Sequence, residues 1–121
     1  MFKLVYCVRK RADKSDEEFH RYWLEEHGPL ARSLQKAIHA ARYVQSHTVD
    51  TEISSALRES RGAGPPYDGI TEMWWTSREE FEAGLTTDEG RAAAITLLED
   101  EKRFVATEQC SLFMTEEHEI F

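Results

Sequence analysis

S-D-E-E-F-H-R-Y-W-L-E-E-H-G-P, residues 15–29, contains a helix start, an aromatic stripe, a histidine and a helix-breaking pair. Ser15 followed by Glu18 forms a capping box, in which each side chain satisfies a backbone N–H near the helix start. Asp16, Glu17 and Glu18 place negative charge at the positive end of the helix dipole. Phe19 and Trp23 are four apart and share a face, and His27 follows four residues later. Gly28-Pro29 predicts an interruption, since Gly suits the position after a helix and Pro lacks the N–H of a helix interior. His27 is therefore expected at a helix end. There it is either a packed terminal residue or a side chain aimed into a pocket.

The surrounding segments supply a sheet. Residues 2–9 alternate, with Phe2, Leu4, Tyr6 and Val8 on one side. Residues 41–50 and 67–76 read as second and third strands, and 104–115 as the last. Gly69 marks a bulge or a close backbone approach. Pro29 suits the start of a second helical segment carrying Leu30, Leu34 and Ile38. Residues 51–61 form a short helix with Ile53 and Leu57 as its buried pair, and 62–66 (G-A-G-P-P) a loop. Ser77 and Glu80 repeat the capping box ahead of Phe81 and Leu85, and a helical stretch over 87–102 offers Leu97 and Leu98 to the core. The order is β-α-β-β-α-β, an α+β ferredoxin-like arrangement with an antiparallel sheet, in one domain over residues 1–121.

Adjacent Trp74 and Trp75 must face opposite sides of the sheet, as must Phe104 and Val105, and Leu112 and Phe113. Apolar groups on both faces call for cover on both, and the helices suffice for one. The expected second cover is another copy of the chain: a homodimer in which two sheets face each other and enclose a cavity. Alternation leaves open which sheet face lines that cavity.

Charge and composition exclude several classes. The net charge of -8 argues against nucleic-acid binding, and Arg9-Lys10-Arg11 is diluted by nearby acids. No apolar run approaches the ~20 residues of a membrane span. No targeting segment stands out, so the expected location is cytoplasmic. Cys7 and Cys110 lie outside any metal-binding spacing and read as free thiols. His20 and His118 read as solvent-facing, and His20 and His27 lack an H-E-x-x-H context, so no metal site is expected.

R-K-R at 9–11, F-H-R-Y-W-L-E-E-H-G-P-L at 19–30, Y-V-Q-S-H at 43–47, Y-D-G-I-T-E-M-W at 67–74 and D-E-K-R-F at 100–104 together resemble the EthD-like family of the dimeric α+β barrel superfamily. The resemblance spans nearly the whole chain. It implies a ferredoxin-like fold dimerised through its sheets. It also implies acid/base chemistry on small organic molecules, with no metal or organic cofactor. Its relatives include isomerases of lactones and polyketide-tailoring cyclases, dehydratases or decarboxylases.

Three residues are candidates for chemistry. His27 matches the histidine of the F-x-x-Y-W-x-x-x-H-x-P pattern, and imidazole exchanges protons near neutrality. His47 shares a strand face with Tyr43 and Gln45, which suits a cavity wall or a solvated edge. Glu72, on the side of Ile70 and Trp74, is either a carboxylate of raised pKa or the partner of an arginine such as Arg9. Tyr6, Tyr22, Trp23, Tyr43, Gln45 and Trp74 are candidate substrate-lining groups. The expected function is a small cofactor-independent isomerase, cyclase, dehydratase or decarboxylase acting on a lactone or polyketide-like molecule. The alternative is a non-catalytic dimer that binds a hydrophobic metabolite.

Overall fold

A computed structural model describes residues 1–121. Four strands, β1 (Phe2–Val8), β2 (Arg42–His47), β3 (Gly69–Trp75) and β4 (Ser111–Glu116), form one antiparallel sheet in the order β2-β3-β1-β4. Helices α1 (Asp16–Tyr22), α2 (Gly28–Ser33), α4 (Arg78–Thr86) and α5 (Asp88–Glu101) accompany it; α3 (Glu52–Arg61) is inserted between β2 and β3. This is the expected ferredoxin-like α+β arrangement. No helix is long and apolar enough to cross a membrane.

The central strand register assigns the two faces. Leu4 pairs with Met73 and Met114, Tyr6 with Thr71 and Leu112, and Tyr43 with Met73, so these side chains share one face. That face packs on the helices in two clusters. One joins Val8, Phe19, Trp23, Phe104 and Val105; the other joins Ile38, Met73, Trp75 and Ala93. The opposite face carries Lys3, Val5, Cys7, Glu72, Trp74 and Phe113. Trp74 and Trp75 do part to opposite faces, as do Leu112 and Phe113.

The helix break at Gly28-Pro29 does not occur. Gly28 is right-handed helical, not a terminal Gly, and the chain stays helical from Asp16 to Ser33 through a π-turn at Trp23–His27. The Gly28 N–H reaches back five residues to the Trp23 carbonyl. This wider turn shifts the hydrogen-bond register just ahead of the N–H that Pro29 lacks, which lets the helix pass through the proline. The capping box at Ser15–Glu18 forms as expected. The second forms by half: Ser77 Oγ accepts from the Glu80 N–H, but the Glu80 carboxylate turns to His39 at 2.9 Å.

Other expectations need correction. The last strand begins at Ser111, because Phe104, Val105 and Ala106 are buried in the turn leaving α5, where Val105 bridges to Lys10. Ile53 is 75% exposed and Leu57 52%, so α3 presents its apolar face to solvent. Leu98 is 44% exposed while Leu97 packs on the core, since one α-helical face cannot hold both neighbours.

Gly69 is a close approach and not a bulge, as β3 pairs without interruption. A Cβ there would enter the Trp23 ring and meet the Ser46 carbonyl. We expect Gly69→Ala to lower stability by roughly 1–3 kcal/mol through overpacking, read as a reduced thermal midpoint and an altered Trp23 fluorescence. An unshifted midpoint would mean that the indole repacks freely.

Candidate active site

Helix geometry aims His27. A four-residue step advances by about 40° in an α-helix. The wider turn brings the next step back, so Phe19, Trp23 and His27 are all buried along one side of the helix. The π-turn is held from the sheet: Gln45 Nε2–H donates to the Trp23 carbonyl at 2.7 Å and to the Tyr43 hydroxyl at 3.0 Å.

His27 is 5% exposed and its ring lies 5.1 Å from that of Phe104. Its Nδ1–H donates to Asp100 Oδ2 at 2.7 Å, and the Tyr22 hydroxyl donates to Asp100 Oδ1 at 2.5 Å. Asp100, at the end of α5, thus receives hydrogen bonds on both oxygens. Since a carboxylate only accepts, the hydrogen on His27 is fixed at Nδ1. Nε2 is left with its lone pair and forms no hydrogen bond within the chain. No fully buried side-chain nitrogen or oxygen lacks a partner, so Nε2 is not sealed off, and His27 lines the space beside it.

That space is a cavity of about 190 Å³ between the helices and their own sheet, with 16 hydrophobic residues among the 19 that line it. At ~30 Å³ per water it has room for about six waters' worth of ligand. Its polar groups are His27, Glu101, Tyr6, Tyr43 and Thr71. A groove of about 570 Å³ adjoins it and shares Ala31, Ile38, Tyr43 and Met73 with its wall.

Burial lowers the His27 pKa, and the hydrogen bond and charge of Asp100 oppose that without reversing it. At neutral pH the ring is the neutral base. Burial, helped by the charge of Asp100, pushes the Glu101 carboxyl up to about 7, with the Tyr6 hydroxyl acting in the other direction. Burial and the Glu101 charge in turn raise the Tyr6 hydroxyl, which stays protonated.

The structure brings His27, Tyr6, Trp23 and Tyr43 to this cavity. Tyr22 does not line it and instead holds Asp100 from the far side; Gln45 holds the π-turn and faces the outer groove. His47 is separated from His27 by Trp23, on whose ring it stacks at 4.3 Å. Its Nε2–H donates to Gln45 Oε1, and its Nδ1 accepts from His20 Nδ1–H at 2.8 Å, so His20 is not solvent-facing. Glu72 and Trp74 lie across the sheet. Glu72 pairs with Lys3 at 2.6 Å, not with Arg9, and Trp74 Nε1–H donates to Glu117. Strand alternation puts both out of reach of His27. No group of three or more His, Cys, Asp or Glu side chains is arranged to hold a metal.

In the sequence Asp100 and Glu101 stand out only within the family-like run D-E-K-R-F at 100–104, with no role assigned to either. A signal was present. Ala94, Leu97 and Glu101 fall at i, i+3 and i+7, which puts a carboxylate in phase with a buried stripe, and all three line the cavity. The sign of the Glu101 shift has a consequence for stability. A carboxyl raised on folding contributes fully below its ordinary value of 4.5, and that contribution is lost as pH rises through about 7. We therefore expect Glu101→Gln to be more stable than the parent at about pH 8, by at most ~3 kcal/mol. The difference should close near pH 4.5 in thermal melts; equal midpoints at both pH values would contradict a buried, reluctant acid.

The EthD domain profile matches residues 11–108. Among solved structures, an EthD-family protein from Bacillus halodurans aligns at 19% identity and TM-score 0.64, covering 98% of this chain and 99% of that one. HapK from Hahella chejuensis aligns at 14% and 0.61, covering 98% and 93%. An EthD-like protein from Ralstonia eutropha aligns at 16% and 0.60, covering 95% and 90%. At these identities the structures share the fold alone. No curated protein matches the sequence. A profile match over most of the chain, on a ferredoxin-like sheet carrying the F-x-x-Y-W-x-x-x-H-x-P helix, places this protein in the EthD domain family.

Proposed function

We propose that this protein is a cofactor-independent acid/base enzyme acting on a small lactone or polyketide-like carbonyl compound. The observation that carries the reading is the His27–Asp100 pair at the wall of an apolar cavity. Asp100 holds the tautomer that leaves Nε2 basic, and it stabilises the imidazolium formed once a proton is taken. Tyr22 orients Asp100 in turn. Trp23, Tyr43 and Phe104 give the cavity apolar walls. Proton abstraction beside a carbonyl, leading to isomerisation, cyclisation or dehydration, is the chemistry such a pair supports.

α-Angelica lactone, a single unsaturated ring, is a suitable probe because its conversion to the β isomer is a proton transfer between two carbons. We expect His27→Gln to slow that conversion ~10²–10⁴-fold. Asp100→Asn should slow it less while the fold is retained. If His27→Gln turns over as fast as the parent, the base is misassigned. Stoichiometric binding of the lactone without any conversion would favour the binding-protein alternative.

The same reading includes a homodimer. Val5, Val44, Ile70 and Phe113 lie on the sheet face without helices, Ile70 and Phe113 being 37% and 48% exposed. Across that face Lys3 and Arg42 stack on Trp74, so a partner's sheet would meet a surface already flattened by cation–π packing. We expect a dimer mass in sedimentation equilibrium at micromolar concentration, and a monomer for Ile70→Asp combined with Phe113→Asp. A parent that sediments as a clean monomer would contradict the dimer.

A further inference from the structure

Besides His27, the cavity holds an acidic side chain, Glu101. Glu101 is the only carboxylate on its wall, and no cationic side chain lines it. It forms no salt bridge, although Asp100 next to it has His27 and Arg103. Successive helical residues point about 100° apart. The end of α5 therefore sends Asp100 to the outer side of His27, and sends Glu101 into the cavity with Tyr6 of β1 and Tyr43 of β2.

We propose that Glu101 is a catalytic acid working with His27, and that the site takes an uncharged carbonyl compound of single-ring size with a hydrogen on the carbon next to the carbonyl. The proposal rests on His27 being the base. Charge selects the substrate class: an anion would face Glu101 with no countercharge in the wall, and a cation would find one carboxylate among apolar groups. Size follows from the 190 Å³ volume.

The step balances without an oxidant or co-reactant. The lone pair of His27 Nε2 takes the proton from carbon. The C–H pair becomes a C=C bond to the carbonyl carbon, the carbonyl π pair moves to oxygen, and oxygen takes the Glu101 proton. This leaves an enol, a Glu101 carboxylate and a His27 imidazolium whose Nδ1–H stays on Asp100. In a β,γ-unsaturated lactone the imidazolium then protonates the γ carbon while the enol proton returns to Glu101, and the double bond has moved into conjugation. The base must be neutral and the acid protonated. Burial sets the His27 pKa below its ordinary value, and that of Glu101 near 7. The groups facing them are Asp100, Tyr22 and, through Asp100, Arg103 for His27, and Tyr6, Tyr43 and Asp100 for Glu101. The rate should therefore be bell-shaped in pH, with limbs that belong to the pair.

The test is the pH dependence of α-angelica lactone isomerisation by the parent, Glu101→Gln and His27→Gln. We expect Glu101→Gln to be slower by ~10²-fold, to keep the acid limb and to lose the alkaline one. Full rate with both limbs intact in Glu101→Gln overturns the acid and leaves His27 as the base. Full rate in His27→Gln, or no conversion by the parent, overturns the reading of the site and this assignment with it. A titration needing neither turnover nor a variant that folds provides a second readout. In protein labelled with ¹³C at glutamate side-chain carboxyls, one resonance should titrate near neutrality. A full set titrating in the ordinary carboxylate range overturns the proposal.

Discussion

The five-residue hydrogen bond from the Gly28 N–H to the Trp23 carbonyl is the constraint on which this site depends. Pro29 cannot supply a helix hydrogen bond, so a regular helix would kink or end there. The π-turn absorbs the defect one turn earlier and keeps Trp23 and His27 on the buried side. The Trp23 carbonyl also accepts from Gln45, an anchor on a different element. His20, His47 and Gln45 form one hydrogen-bonded run that ends on this carbonyl, with His47 stacked on the Trp23 ring. Gln45 and His47 of β2 therefore act as a brace for the turn, while Tyr43 of the same strand lines the cavity.

The brace explains the lack of a Cβ at position 69. Gly69 opens β3 directly beneath the Trp23 ring, opposite His47 in the β2 register. The indole is held between the backbone of one strand and the imidazole of the next. It separates the His20–His47 pair from the cavity, so two histidines that look equivalent in sequence have different surroundings. His27 faces apolar groups and one carboxylate; His47 faces another imidazole and an amide.

Much of the fold was legible because its signals are local or alternate strictly. The Ser15–Glu18 cap depends on a spacing of three positions, and adjacent Trp74 and Trp75 must part whatever the tertiary structure. Features set by distant partners were not legible. Gly28-Pro29 is a break signal unless a carbonyl five residues back can be satisfied, and the residue that completes it, Gln45, lies seventeen positions further on. Glu80 has the spacing for a capping box, but His39, held at φ 62°, offers a better partner. Glu72 has the composition of a buried acid, yet the cross-strand neighbour Lys3 neutralises it. The family signature located His27 and included Asp100 in D-E-K-R-F, but only the packing of α5 shows that Asp100 orients it.

Asp100 and Glu101 show how one helix end places two acids in different surroundings. They are consecutive, and their ordinary pKa values differ little. Asp100 receives an imidazole N–H and a phenol O–H, one on each carboxylate oxygen. Glu101 points among Leu97, Phe104 and Val105, where burial and the charge of Asp100 both oppose ionisation. The first carboxylate thus helps keep the second protonated, while burial keeps His27 neutral despite its acidic partner. A base and an acid available at the same pH are what proton transfer beside a carbonyl requires. In this fold both follow from the direction in which α5 ends.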